Sequence, residues 1–542
     1  MSKKKLATLI TTVAFASGTA LSLAGCAGGN STGGNTGNSK VESLNIAIVK
    51  DENTLTPFTY VTGTGLVVNR LIYDTLLTKD LNNEVIPWMV EDNYTVVDSK
   101  EFTFTLKDNL KFHNGNKVTT EDIKFSFEYP ANQNNSTYKK LSKEIENIDV
   151  IDNKTIKFTL KEPDINYLAD GFAEMRILDH TVYEGQSDGS LVNDTVGSGP
   201  YKLVEYKTGE YYKLEAVDDY FKGTPKVKNI NMPIMSDKSA IQQALISQNI
   251  AASTGDISVE MVDTFKSIND LGIFAGEGYA PVIININNGR APFDNKNFRT
   301  ALTYAIDVNG ITKTLYGEYA TPGTKGAVRS DLPYAVSGLE YKYDPNKANQ
   351  ILDDLGYTEK DSNGIRKDKD GKSLSYEIIT YSNNTSRTRL CELVKEQLKQ
   401  VGINVEIKAL DMDTADAYIW PDFDVSKGRD YDMSTWGWSK AISPTYLVSL
   451  GSSDYVLGSY NVCGYKSEKF DNLISTRLDK VTSMDDMNEL LKDLQKTFSE
   501  DNPLITVAYP DKIQVCNTKL YDGWKTGKGA NVINIFSFLD IK

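Results

Sequence analysis

The sequence predicts an α/β fold, and three observations predict it. Runs in which apolar and polar residues alternate recur along the chain, as strands with one buried face require. Between them lie amphipathic stretches that begin at capping side chains and stop at glycine, as helices require. Beyond residue 25 no apolar run is long enough to cross a bilayer, so the remainder is expected to fold around its own cores.

The first segment is not part of that fold. Lys3, Lys4 and Lys5 precede an apolar run from Leu6 to Ala24, the order of a bacterial export signal. The run ends in Leu23-Ala24-Gly25-Cys26, which resembles a lipobox, so residues 1–25 are expected to be removed and Cys26 to carry lipid. Each buried CH₂ of an acyl chain contributes about 0.8 kcal/mol, so several chains anchor the protein without spanning the membrane. Residues 26–40 are nearly all Gly, Asn, Ser and Thr, the composition of a flexible tether. Gly29-Asn30-Ser31-Thr32-Gly33 matches a serine-hydrolase pattern, but no strand precedes it and no helix follows.

The folded part opens on Leu44, Ile46 and Ile48, an alternating strand. Phe102, Phe104 and Leu106, then Ile156, Phe158 and Leu160, read as half-buried antiparallel strands. Thr119 and Asp122 predict a capping box ahead of Ile123 and Phe127. Asp294 is expected to cap a helix with the stripe Phe298, Ala301, Leu302 and Ala305. Asp344-Pro345 starts another, stopped by Gly356. Leu390, Val394, Leu398 and Val401 form a third helix, stopped by Gly402 and followed at once by the strand Ile403, Val405, Ile407. Met487, Leu490, Leu491, Leu494 and Phe498 form a last helical stripe.

Composition excludes several classes of function. The formal net charge is −14, and no Lys/Arg cluster follows the signal, which argues against nucleic acid. There are two histidines, and no P-loop, dinucleotide fingerprint or metal motif, so neither an enzyme, a cofactor nor a metal ligand set is expected. Asp368-Lys369-Asp370-Gly371 fails as a calcium loop because Arg366 would occupy its first ligand position; it reads as a turn. Cys391, Cys463 and Cys516 match no zinc site and read as packed thiols, with one disulfide among them left open.

Several segments, in order, resemble the peptide/nickel-type family of extracellular solute-binding proteins. They are Tyr73-Asp74-Thr75-Leu76-Leu77, Leu110 through Gly115 to Ser126, Gly197-Ser198-Gly199-Pro200-Tyr201, Pro292-Phe293 with Arg299 to Asp307, Tyr343-Asp344-Pro345, Asn461 to Tyr465 and Phe470-Asp471. The resemblance implies a two-lobed periplasmic-binding-protein-like fold (type II) with an extra domain inserted in the first lobe. Lobe one is expected at 41–80, 196–290 and 500–542, the inserted domain at 81–195 and lobe two at 291–499. It also implies a monomeric subunit of an ABC importer, lipid-anchored at the outer face of the membrane. There it would pass ligand to a permease and its ATPase, unless the same fold serves as a sensing receptor.

In peptide-binding members an aspartate just after a Gly-Trp pair holds the peptide ammonium. Here Gly437-Trp438 is followed by Ser439, Lys440 and Ala441, with no aspartate, so Asp432 or a nearby acid is the expected substitute. The ligand is expected to be an oligopeptide, with an oligosaccharide or a metal chelate as alternatives. By resemblance the ligand-contacting residues are Tyr60, Trp436, Trp438, Ser439, Tyr460 and Asn461, with Trp438 rather than Trp436 reaching the cleft. His113 and His180 fall at framework positions of the family.

Overall fold

The opening strand, Val41–Ala47, lies inside a five-stranded sheet of order 252–253, 41–47, 227–233, 211–216, 201–207. It runs parallel to both neighbours, while the remaining pairs are antiparallel. The computed structural model describes residues 41–52, 56–57, 63–133, 136, 138–186, 195–438, 443, 445–454 and 459–541. The lipobox-like segment with Cys26, the expected tether with its hydrolase-like pattern, Tyr60 and Ser439 lie outside them.

The two aromatic strands expected to be antiparallel neighbours pair in register, Phe102 opposite Phe158 and Phe104 opposite Ile156. They form the centre of a four-stranded sheet of order 95–97, 101–105, 155–160, 145–150. Phe102, Phe104, Phe127 and Phe158 all meet Phe172, with ring centroids 4.7–5.6 Å apart. This cluster is continuous with the core on one face of the five-stranded sheet.

A six-stranded sheet, of order 320–322, 504–510, 282–286, 433–437, 375–381, 404–410, is covered on both faces. That explains why Val282–Ile286 is buried at every position instead of alternating. One face takes Ile284, Ile286 and Ile378 with Leu390, Val394 and Leu398; the other takes Ile283, Ile379 and Trp436 with Leu490, Leu491 and Leu494.

The helix signals are observed with one shift. Thr119 and Asp122 form the capping box on Thr120–Glu128. Asp344 caps Pro345–Asp354, and Gly402 follows the helix Thr385–Gln400 in the left-handed region, with φ of 82°. Asp294 is not a cap: Asn295 accepts the backbone N–H of Asn297 and starts the helix Lys296–Ala305. The Asp368 segment is a turn, its carboxylate accepting the backbone N–H groups of Asp370 and Lys372. Cys391, Cys463 and Cys516 are all buried free thiols, and burial pushes the first two up to about 12 and about 11.

Two framework motifs have clear causes. The His113 ring lies between Gly197 and Gly199, its Nε2 3.0 Å from the Gly199 carbonyl oxygen and its Nδ1 accepting the Gly197 N–H at 3.3 Å. Burial, the largest cause, lowers its pKa to about 4. A Cβ on Gly197 would stand 2.0 Å from the Ile72 carbonyl oxygen, and one on Gly199 2.6 Å from the Ile72 carbonyl carbon. Arg299 is buried and donates to the carbonyls of Phe293, Asp294, Asp501 and Asn502, tying a helix start to a helix end.

The chain enters and leaves the six-stranded sheet at two adjacent places, both joined to one separate two-stranded pair. Leu271–Gly276 pairs with Lys512–Asn517, while Val282–Ile286 pairs with Leu504–Pro510 inside the six-stranded sheet. The chain therefore crosses from this two-stranded pair into the six-stranded sheet at 277–281 and back out of it at Asp511. Arg329, 5% exposed, bridges the crossings. Its guanidinium donates to the Gly278 carbonyl at 2.5 Å, lies 2.9 Å from Asp331 and 3.8 Å from Asp511, and covers the Tyr279 ring.

Candidate ligand-binding site

Topology selects one edge of the six-stranded sheet. The strands Ser375–Tyr381, Asn404–Leu410 and Met433–Gly437 are mutually parallel, so Tyr381, Leu410 and Gly437 end at the same edge. Gly437 pairs with Val282, the first residue after the 277–281 crossing, so that edge faces the first strand system. In open α/β sheets, ligands settle in the crevice beyond the carboxyl ends of the strands. Ser443 beside this edge lies 3.5 Å from Asp170, and Ile165 packs on its core, so the 165–170 segment supplies the facing wall.

Trp436 and Trp438 lie two residues apart and project to the same face, as their spacing predicts. Both are 7% exposed, so the expected division into a core ring and a cleft ring is not observed. Trp438 stacks on Tyr460, with centroids 4.2 Å apart and planes at 14°. Trp420 meets both tryptophans edge-on at 6.2 and 5.2 Å. The indole N–H groups of Trp436 and Trp438 and the hydroxyls of Tyr446 and Tyr509 are buried without a hydrogen-bond partner among the described residues.

Arg387, absent from the expected residues, completes the edge. It lies in the first turn of the helix that starts directly after the Tyr381 strand, and its guanidinium stands 5.4 Å over the Tyr381 ring. A Cβ on Gly437 would come within 2.8 Å of the Arg387 Nη2, so glycine before Trp438 admits the guanidinium to the strand end. Among the described residues no carboxylate pairs with it, and burial pulls its pKa below the ordinary arginine value. One arginine is indistinguishable from another in sequence; the Gly-Trp pair was the available signal.

Two expectations are corrected. Asn461 is 0% exposed, and its amide donates to the Ser452 and Tyr465 carbonyls while its oxygen accepts the Tyr465 N–H and the Cys463 thiol. It holds its own loop and has nothing left for a ligand. Asp432 is also committed, to Arg290 at 2.9 Å and to the Glu377 N–H at 2.9 Å. Asp122, Asp179 and His180 come close enough to hold a metal ion, but Asp122 accepts from Thr119 and His180, and Asp179 from Thr181, Asn114 and Asn116. This group is a saturated hydrogen-bond network.

The family model for bacterial extracellular solute-binding proteins, family 5 (middle region), matches residues 84–454. The chain belongs to this family. Among curated members, the oligopeptide-binding protein AppA of Bacillus subtilis is 26% identical over 487 residues, covering 86% of each chain. The glutathione-binding protein GsiB of Pectobacterium atrosepticum is 25% identical over 508 residues, covering 91% of this chain and 93% of its own. Among solved structures, the ABC transporter substrate binding protein CtaP of Listeria monocytogenes superposes with a TM-score of 0.81 at 22% identity, covering 92% of this chain and 99% of its own. The two-lobed architecture of family 5 is thus the architecture of this chain. Among its described residues, no helix is long and apolar enough to cross a membrane.

Proposed function

We propose that the protein captures peptides outside the cell for an ABC importer and holds them through a carboxylate. One observation carries this reading: Arg387 reaches the strand end at Gly437 with no carboxylate partner among the described residues, and the indole N–H groups of Trp436 and Trp438, on either side of that glycine, have no acceptor among them. A buried polar group left unpaired costs about 1–3 kcal/mol. An edge that keeps several such donors is suited to a ligand rich in acceptors. A peptide offers a carboxylate to the guanidinium and carbonyls to the indoles. A neutral sugar offers the guanidinium no charge, and the Trp438 face it would stack on is covered by Tyr460. The likeness to AppA supports the same reading.

The remaining parts of the proposal rest on sequence. Cys26 carries the lipid, residues 26–40 form the tether, and Tyr60 and Ser439 join Trp436, Trp438 and Tyr460 around the ligand. The protein then works as a lipid-anchored monomer at the outer face of the membrane, handing its ligand to a permease served by an ATPase.

Thermal unfolding against mixed short peptides, oligosaccharides and carboxylate-chelated nickel tests the ligand class. A ligand at a hundredfold excess over Kd stabilises the native state by about 2.7 kcal/mol. The midpoint is expected to rise with peptides. A rise with sugars or chelates alone overturns the peptide reading.

A further inference from the structure

A peptide bound by its carboxylate at Arg387 also carries an ammonium, and nothing in Ser439–Ile442 can neutralise it. The neighbouring segment is rich in aspartates, and almost all are committed. Asp411 and Asp424 cap helix starts, Asp422 pairs with Lys427, and Arg290 takes both Asp430 and Asp432. Asp413 is exposed in the first turn of the helix Met412–Ile419.

Asp416 differs from all of these. It is half-buried on the same helix, and one carboxylate oxygen accepts the Tyr381 hydroxyl at 2.7 Å. No cation pairs with it among the described residues, and burial raises its pKa against the pull of that hydrogen bond. Tyr381 is the ring over which Arg387 stands, and it lies 5.8 Å from Trp436. One aromatic ring therefore carries a guanidinium over its face and a carboxylate at its hydroxyl, neither paired with an opposite charge among the described residues.

We propose that Asp416 receives the ammonium group of the solute, so that Asp416 and Arg387 grip opposite ends of a short zwitterionic peptide across the Tyr381 ring. The inference rests on the peptide reading above and narrows it. Each further residue in an extended peptide moves its ends apart by about 3.5 Å, so a grip one ring wide selects the shortest peptides. Tyr381 acts as a positioning residue, holding one Asp416 oxygen and leaving the other for the ligand.

The test is native mass spectrometry of the purified full-length protein with randomised di-, tri- and tetrapeptide mixtures, each free, N-acetylated or C-amidated. The wild type is expected to prefer free over N-acetylated dipeptides by on the order of 10- to 100-fold, the usual worth of a hydrogen-bonded charge. Asp416→Asn is expected to bring that ratio close to one while the preference against C-amides persists, and Asp416→Glu to restore part of it. Tyr381→Phe is expected to weaken the ratio without abolishing it. An unchanged ratio in Asp416→Asn overturns the assignment and leaves the peptide reading standing. Failure of the wild type to retain any free peptide overturns the peptide reading and this inference together.

Discussion

Trp438 lies face to face with Tyr460, their ring centroids 4.2 Å apart and their planes 14° from parallel. The pair joins the end of a strand to the loop that Asn461 holds in place, so the loop and the strand end move as one surface. Aromatic pairs contribute about 0.5–1.5 kcal/mol beyond the area they bury. A double-mutant cycle of Trp438→Leu and Tyr460→Leu in urea is expected to give a coupling of about 1 kcal/mol. Additive effects would show that the stack contributes nothing of its own.

The close approach of Ile72 to the Gly197–Gly199 segment makes a second prediction. Gly199→Ala forces a Cβ against the Ile72 backbone and disturbs the Gly199 N–H bond to the Ile72 carbonyl at 2.8 Å. Overpacking of this kind costs about 1–3 kcal/mol, and more when backbone must move. The urea midpoint is expected to fall clearly, whereas Gly209→Ala, in a turn with open space, costs only its left-handed backbone. Equal losses would mean that the Ile72 contact is soft.

Asp74 gives a pH dependence with a definite sign. It is fully buried, accepting from Trp88 at 2.9 Å and Tyr220 at 2.8 Å, and burial outweighs these bonds to raise its pKa to about 7. The folded state then holds a proton that the unfolded chain releases near its ordinary value of 3.8. This contribution is present at acid pH and is lost as pH rises from about 4 to about 7, on the order of 4 kcal/mol in all. His113 works the other way: its lowered pKa removes stability as pH falls from 6.5 towards about 4. Urea unfolding at several pH values is expected to show Asp74→Asn gaining on the wild type between pH 5 and pH 8. A parallel pair of curves would contradict the buried proton.

Arg329 ties the two crossings to the second sheet, and its removal leaves Asp331, Asp511 and Glu277 facing one another without their cation. The partners are partly exposed, which reduces the cost from the 3–5 kcal/mol of a fully buried pair to about 2 kcal/mol. Arg329→Gln is expected to lose about that much and to change ligand affinity through the crossings, as read by unfolding and calorimetry. A variant unchanged in both would make the bridge incidental.

The sequence was most legible where local rules govern. Alternation located Phe102, Phe104, Ile156 and Phe158, and their cross-strand pairing followed. The Thr119–Asp122 box and the Asp344-Pro345 start were equally plain, because capping is decided within one turn. Asp294 misled because Asn295 beside it is an equally good cap, and only the backbone angles choose. The site was less legible for a physical reason. Arg387, Asp416 and Arg329 gain their roles from partners far away in sequence, and nothing in their own neighbourhoods separates them from surface charges. Asn461 was the reverse case: its position near the cleft suggested a ligand contact, yet its bonds are spent within its own loop, on Ser452, Cys463 and Tyr465.

One titration goes straight to Arg387. Calorimetry would compare a free short peptide with its C-terminal amide, for the wild type and for Arg387→Gln. If the guanidinium holds the ligand carboxylate, amidation should cost the wild type on the order of tenfold or more in affinity and the variant almost nothing. A wild type that binds acid and amide equally would contradict the account, because Arg387 would then face the cleft without touching the ligand's charge.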